Sequence, residues 1–313
     1  LILELINRGS VGEKFHSTLE AFVDQEIFSR LSGPEKRLLG AIAVFREPVQ
    51  LEAINSIEGE TDMLDKLVEK GLARQSDYES YDVHDLVREF LVRSMDETLR
   101  YELHENAVKW YKNKRNGATD TIEYIHHLHL SGNYDELSEI LTTEGHDLVT
   151  AGHTELYSIL KSLESDNFNK NSWGLIRELR GDILSLQGRW DEAEIEYDSA
   201  MKSIGKNTMM TELSRLLSAR ADIAVKRGAM DDALELHRKA LEIQISIRDA
   251  VGAAKSYNNM GYIFRRRKDT RHALEVYGNV EELLKSEINP ELCDARIRLS
   301  SAFLEMNELD KSR

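Results

Sequence analysis

Apolar and small positions in residues 174–313 recur at helical spacing, and they recur in blocks. Gly181, Ala221 and Gly261 are followed by Ala193, Ala233 and Ala273, then by Tyr197, His237 and Tyr277, then by Ala200, Ala240 and Val280. The blocks align without gaps at a fixed period, the signature of a repeat architecture. Between the small residues lie QGRWDEA, RGAMDDA and RKDTRHA, polar breaks that end one helix and supply an acid or a threonine to start the next. Each block predicts a helical hairpin. Antiparallel helices approach to about 8–10 Å only where small side chains meet at the crossing, while larger ones at neighbouring turns fill the space to the next hairpin. A further unit begins at Leu292, with Leu299 and Phe303 in register, and is cut off at Arg313.

The upstream pattern is looser. Residues 98–172 read as irregular helical hairpins, with SGNYDE as a turn and Ala107, Val108, Trp110 and Tyr111 as apolar surface. Residues 31–97 change character. Ser32, Pro34 and Glu35 start a helix expected to reach Phe45; EPVQLEAINSI predicts a second; Thr61 caps a third that stops at Gly71. LARQ and YDVH then flank the turn SDYES as two short strands, and DLVREFLVRSM returns to helix with Asp85 as its N-cap. That order is the order of a winged-helix domain. Residues 1–30, with Leu19, Phe22, Val23, Ile27 and Phe28 at helical spacing, predict a lead-in helix from an upstream domain.

Composition narrows the class. With 313 residues the chain is long enough for two domains, and three prolines among many Glu, Leu, Lys and Arg favour helix throughout. The single cysteine, Cys293, forbids an intrachain disulfide and makes a reducing, cytoplasmic setting the expectation. The longest apolar run, Leu38 to Phe45, is far shorter than the roughly 20 residues that span a bilayer, so no membrane helix is expected. The net charge is −15, and it lies upstream: residues 1–173 carry 18 Lys and Arg against 32 Asp and Glu. The chain starts without Met and stops within a helical pattern, which reads as a fragment of a longer protein.

The small, small, aromatic, small signature resembles the tetratricopeptide repeat, in a version with longer helices. The stretch YDVHDLVREFL resembles the Met-His-Asp motif of the NB-ARC and STAND signal-transduction ATPases, with Val83 in place of the Met. The resemblance implies that His84 reaches from the winged helix to the β-phosphate of ADP on a neighbouring nucleotide domain, and that Asp85 caps the helix and holds that geometry. Taken alone, the pair reads as a strand end and a helix cap. ADP and ATP are implied for a full-length protein only. No G-x-x-x-x-G-K-[ST] loop occurs in this chain, so this segment is not expected to be an enzyme.

Other chemistry is sparse. The third helix of the winged domain sets Lys66 and Lys70 against Asp62, Asp65 and Glu69, the wrong sign for phosphate, so DNA is not an expected partner. His126, His127 and His129 lack a Cys, Asp or Glu at ligand spacing; they read as a solvated helix surface, and no metal is predicted. The basic cluster from Arg265 to Arg271 sits where a helix ends, and cations there complement its dipole. In the repeat frame, Arg265 shares a groove with Lys255, Asn258 and Tyr262, and the preceding repeats add Arg215, Asp222, Glu178 and Asp182. Such a groove suits a protein segment or a small polar effector, or else contacts its own chain.

The expected fold is therefore mostly α: a winged helix at 31–97, irregular hairpins at 98–172, and a right-handed superhelix of tetratricopeptide-like hairpins at 173–313. The expected role is the regulatory and sensor arm of a STAND-type ATPase. A stand-alone adaptor for a partner peptide is the alternative, and a DNA-binding regulator a distant one.

Overall fold

The computed structural model describes residues 28–58, 63–76, 80–203, 210–284 and 289–311. The chain divides into two compact units, Leu1–Leu137 and Ser138–Arg313. Most of the expected lead-in helix lies outside the described residues, as does Thr61; Phe28–Arg30 is a single 3-10 turn.

In the first unit, α1 (Gly33–Ala43) opens on the expected capping box. The Ser32 hydroxyl accepts from the Glu35 amide, and the Ser32 amide donates to Glu35 Oε2 at 2.8 Å. Lys70 Nζ, 2.6 Å from Glu35 Oε1, is the main reason that carboxyl is held down to about 2. The expected second helix begins later than EPVQ suggests, because Val49–Gln50 is a strand, β1. β1 pairs with Tyr81 and Ser80, burying Val49. α2 (Leu51–Glu58) and α3 (Leu64–Glu69) follow, then β2 (Arg74–Ser76), β3 (Ser80–Asp82) and α4 (Asp85–Ser94). The antiparallel sheet has the order β1-β3-β2.

Residues expected to open the irregular hairpins belong to this first unit. α5 (Glu97–Lys114) packs on α2, with Asn106 Nδ2 donating to the Ile57 carbonyl at 3.2 Å and Arg37 paired with Glu102 at 2.6 Å. α6 (Ala118–Leu130) packs back on α5, and Arg46 holds the buried Glu123 at 2.7 Å.

The second unit continues α7 (Tyr134–Thr150) with α8 (Leu156–Ser162) and then three hairpins: α9 (Lys170–Leu186) with α10 (Trp190–Ser203), α11 (Met210–Lys226) with α12 (Met230–Ser246), and α13 (Ala250–Arg266) with α14 (Thr270–Leu283). α15 (Pro290–Lys311) packs on α14 as the first helix of the next unit would. Trp173, near the start of α9, has the guanidinium groups of Arg177 and Arg180 at 5.1 and 4.9 Å from its ring centre, and Arg180 donates to the Leu163 carbonyl at 3.1 Å, fastening α9 to the end of α8.

The repeat signature has a direct steric cause. A Cβ on Gly181 would stand 2.4 Å from the Tyr197 ring, and one on Gly261 would stand 2.4 Å from the Tyr277 ring. Where the partner is the smaller His237, the position is alanine, Ala221, fully buried. Each hairpin turn also passes through left-handed backbone at an equivalent place: Gly188 at φ 76°, Gly228 at φ 81° and Lys268 at φ 61°. The amide after each returns to a helix carbonyl, as in Asp269 to Phe264 at 2.9 Å.

Two substitutions test these constraints. Gly261→Ala is expected to destabilise the second unit by about 1–2 kcal/mol despite alanine's better helix propensity, because the buried tyrosine ring must move. Lys268→Gly is expected to stabilise it by about 1 kcal/mol by removing the Cβ cost of left-handed backbone. Urea unfolding of both variants beside the parent measures the two signs; equal midpoints would show that the crossing and the turn carry no strain.

Candidate functional site

His84 sits at the step from β3 into α4. Val83 before it is fully buried, and Asp85 after it is exposed. The Arg88 amide bonds back to the His84 carbonyl at 2.9 Å, so Asp85 is the first residue inside the helix rather than the expected cap before it. Its charge still favours the positive helix start. Asp82 holds the step in place, pairing with Arg88 of α4 and, at 2.7 Å, with Arg74 of β2. The half-buried imidazole of His84 therefore projects from a frame tied to both strand and helix.

On the second unit, the first helices of successive hairpins are joined along one polar face. Arg215 Nε donates to Glu178 Oε1 at 2.9 Å and its Nη2 to Oε2 at 3.3 Å. Glu178 is only 3% exposed, and the loss of solvation raises its pKa against the opposing pull of Arg215. One hairpin further, Asn259 Nδ2 donates to Asp222 Oδ1 at 3.2 Å. Desolvation of the Asp222 carboxylate pushes its pKa up to about 6, with Lys226 opposing and Asp182 adding. Lys255 is exposed on this face, and Tyr262, 39% exposed, carries the Arg298 guanidinium 5.9 Å above its ring. Arg265 is half-buried.

Asn258 departs from the groove expected for it. It is 2% exposed, and its amide donates to the Glu291 carbonyl at 3.0 Å, so it joins α13 to the start of α15. The repeat frame placed the residue on the correct helix and mistook a packing amide for a displayed one.

The histidines of α6 depart from a solvated surface as well. His127 is fully buried, stacked on Tyr111 at 5.7 Å and edge-on to Phe45 at 4.9 Å. Its Nδ1 lies 2.8 Å from Nδ1 of His104, a residue that sequence reasoning passed over although it shares the apolar face of α5 with Ala107, Val108 and Tyr111. Burial lowers the pKa of His104 to about 4 and those of His126 and His127 well below the ordinary value. A histidine held neutral in the fold takes up its proton only on unfolding between about pH 4 and 6.5, so stability falls as pH falls through that window. Lowering the pH from 7 to 5 is expected to cost the first unit at least about 2 kcal/mol. Unfolding midpoints of the parent and of His104→Leu across that range measure it; the variant should lose part of the slope.

The hairpins and their small-residue crossings define a helical-repeat scaffold. Residues 212–286 match the tetratricopeptide repeat family model. Repeats of this kind serve protein–protein interaction. No curated protein matches the chain by sequence. Among solved structures, a Signal Transduction ATPase with Numerous Domains (STAND) protein with a tetratricopeptide repeat sensor, from Pyrococcus horikoshii, superposes with a TM-score of 0.58 at 20% identity, covering 96% of this chain and 45% of that one. The chain thus spans less than half the length of that protein, and the likeness is one of fold. BtubC from P. vanneervenii gives a TM-score of 0.44 at 15% identity, over 70% of this chain and 87% of that one. Yeast Tom70 gives 0.24 at 15% identity, over 96% and 76%. Among the described residues no helix is long and apolar enough to cross a membrane.

Proposed function

We propose that this chain is the regulatory and sensor portion of a STAND-type signal-transduction ATPase. In this reading residues 31–97 form a winged helix that gates the nucleotide through His84, and the polar face of the repeats meets an effector or protein partner. The observation that carries the reading is the fold likeness over nearly the whole chain, which takes in the small sheet-bearing unit as well as the repeats. A plain tetratricopeptide adaptor would need only the second unit. The order of helices and strands from α1 to α4 supports a winged helix, and the anchoring of β3 and α4 by Asp82 and Arg88 supplies a rigid base for the imidazole. DNA contact has no support from α3, where Asp65 and Glu69 balance Lys66 and Lys70.

Arg215, Asp222, Lys255, Tyr262 and Arg265 are the proposed contact residues of the effector face. Nucleotide binding belongs to the full-length protein. One imidazole at a phosphate supplies only about 1–3 kcal/mol, whereas micromolar affinity needs about 8. This chain alone should not bind ADP. In the full-length protein the same contact exists only in the closed state and shifts the equilibrium by its own strength. His84→Ala is expected to speed ADP release roughly tenfold, and Asp85→Val by less, through loss of the acid at the start of α4. Release rates followed with a fluorescent ADP analogue decide the matter; rates identical to the parent's would reduce His84 to an ordinary strand-end residue.

A further inference from the structure

Among the described residues, one group of side chains brings three different metal-ligating positions together. His146 lies on α7, and Glu178 and Asp182 lie four residues apart on α9, on one face of that helix. One ligand atom from each comes within 4.8 Å of the others. Beside them Gly145 of α7 faces Leu179 of α9, where a Cβ would stand 2.8 Å from Leu179 Cδ1.

The details favour a cation over a closed ion pair. The imidazole sits between the two carboxylates without hydrogen bonding to either: Nε2 is 3.7 Å from Glu178 Oε1, and Nδ1 is 3.6 Å from Asp182 Oδ2. His146 Nε2 is buried and has no hydrogen-bond partner. The far oxygens are already held, as the outer contacts of metal ligands usually are. Tyr197 donates to Asp182 Oδ1 at 2.7 Å and leaves Oδ2 facing the histidine. Arg215 Nη2 lies 3.3 Å from Glu178 Oε2. Two carboxyl groups face a single guanidinium here, so acidic groups outnumber basic side chains around the imidazole.

We propose that His146, Glu178 and Asp182 form a binding site for a divalent first-row transition ion such as Zn2+. Bonds of about 2.0–2.2 Å put neighbouring ligand atoms roughly 3.3–3.5 Å apart, so ligand atoms already within 4.8 Å of one another must close in by about 1.5 Å at most. The two contacts use opposite ring nitrogens. The ion takes one of them, and the carboxylate on the other side swings round to it. One imidazole and two carboxylates suit Zn2+, Co2+ or Mn2+ rather than a thiophilic ion. His146 and Asp182 are partly exposed, so the remaining coordination positions open to solvent. Arg215 is the competitor within the site, since its Nε shares Glu178 Oε1 at 2.9 Å. The inference stands independently of the nucleotide-gating reading.

The test titrates the 313-residue chain with Co2+, whose visible absorption reports coordination by protein ligands, and with Zn2+ by calorimetry. One ion per chain with micromolar or tighter affinity is expected. His146→Ala and the isosteric Asp182→Asn should each lose the Co2+ absorption and weaken the ion at least tenfold. Arg215→Met should tighten it at least fivefold, because the competing charge is gone. Circular dichroism and the metal-free unfolding midpoint of each variant report whether the hairpins remain folded, and Asp182→Asn stands as the control should His146→Ala loosen α7. A parent chain that binds neither ion below millimolar concentration overturns the proposal. So does an unchanged Co2+ spectrum in both His146→Ala and Asp182→Asn, which would place the ion on another histidine.

Discussion

The second unit depends on one contact made three times, an aromatic ring of the returning helix lying directly over a residue without a side chain, or nearly without one, on the outgoing helix. Tyr197 over Gly181 and Tyr277 over Gly261 leave no room for a methyl group. The middle hairpin has Ala221 and His237 at the equivalent positions, both fully buried, the larger residue at one going with the smaller ring at the other. Because close packing makes such volumes mutually dependent, the fixed spacing between the small residue and the ring also sets the distance between the helices. The next hairpin can then stack only in one way. The buried cluster around Ile263, Phe264 and Tyr277 extends to Ala224 and Leu241 of the preceding hairpin, so each hairpin completes its core against its neighbour.

With that side of the first helices committed to packing, their remaining face carries the polar chemistry. Arg215 to Glu178 and Asn259 to Asp222 are contacts between successive first helices, and they run along the stack as a ladder. Glu178 is too buried to be an ordinary surface acid, and its raised pKa records the desolvation that Arg215 only partly offsets. Groups held this firmly contribute little to stability for their cost. They do present fixed charges at fixed spacing, which a recognition surface needs.

Much of this was legible from residue spacing, and the reasons for the exceptions are physical. Small and aromatic positions reveal hairpins because packing leaves a periodic trace, and the capping box at Ser32 and Glu35 is a local signal that needs no tertiary context. β1 was not legible: two residues beside a proline carry no periodicity, and only the pairing of Val49 with Tyr81 makes them a strand. The histidines of α6 misled because burial on that helix is set by α5 and by Phe45, both distant in sequence. Asn258 misled for the converse reason, since its position in the frame is shared with displayed residues while its partner, Glu291, belongs to the following unit. His146 was invisible as a ligand because nothing in its neighbourhood on α7 marks it, and the two acids that meet it lie on α9.

The first unit places its polar chemistry differently, and the contrast bears on how it could act. Its interior between α5 and α6 holds His104 and His127, whose buried Nε2 atoms have no hydrogen-bond partner and whose pKa values are lowered by burial. The β3–α4 step, by contrast, is fixed by charge, with one aspartate shared between two arginines from different elements. An imidazole that is to report on a phosphate must arrive already oriented, because the ordering of a loose side chain would cancel most of the one or two hydrogen bonds it forms. Asp82 meets part of that requirement, since its ion pairs with Arg74 and Arg88 tie together the strand and the helix between which His84 sits. A frame of this kind limits how far the backbone that carries the imidazole can move, so less ordering remains to be done by the side chain itself.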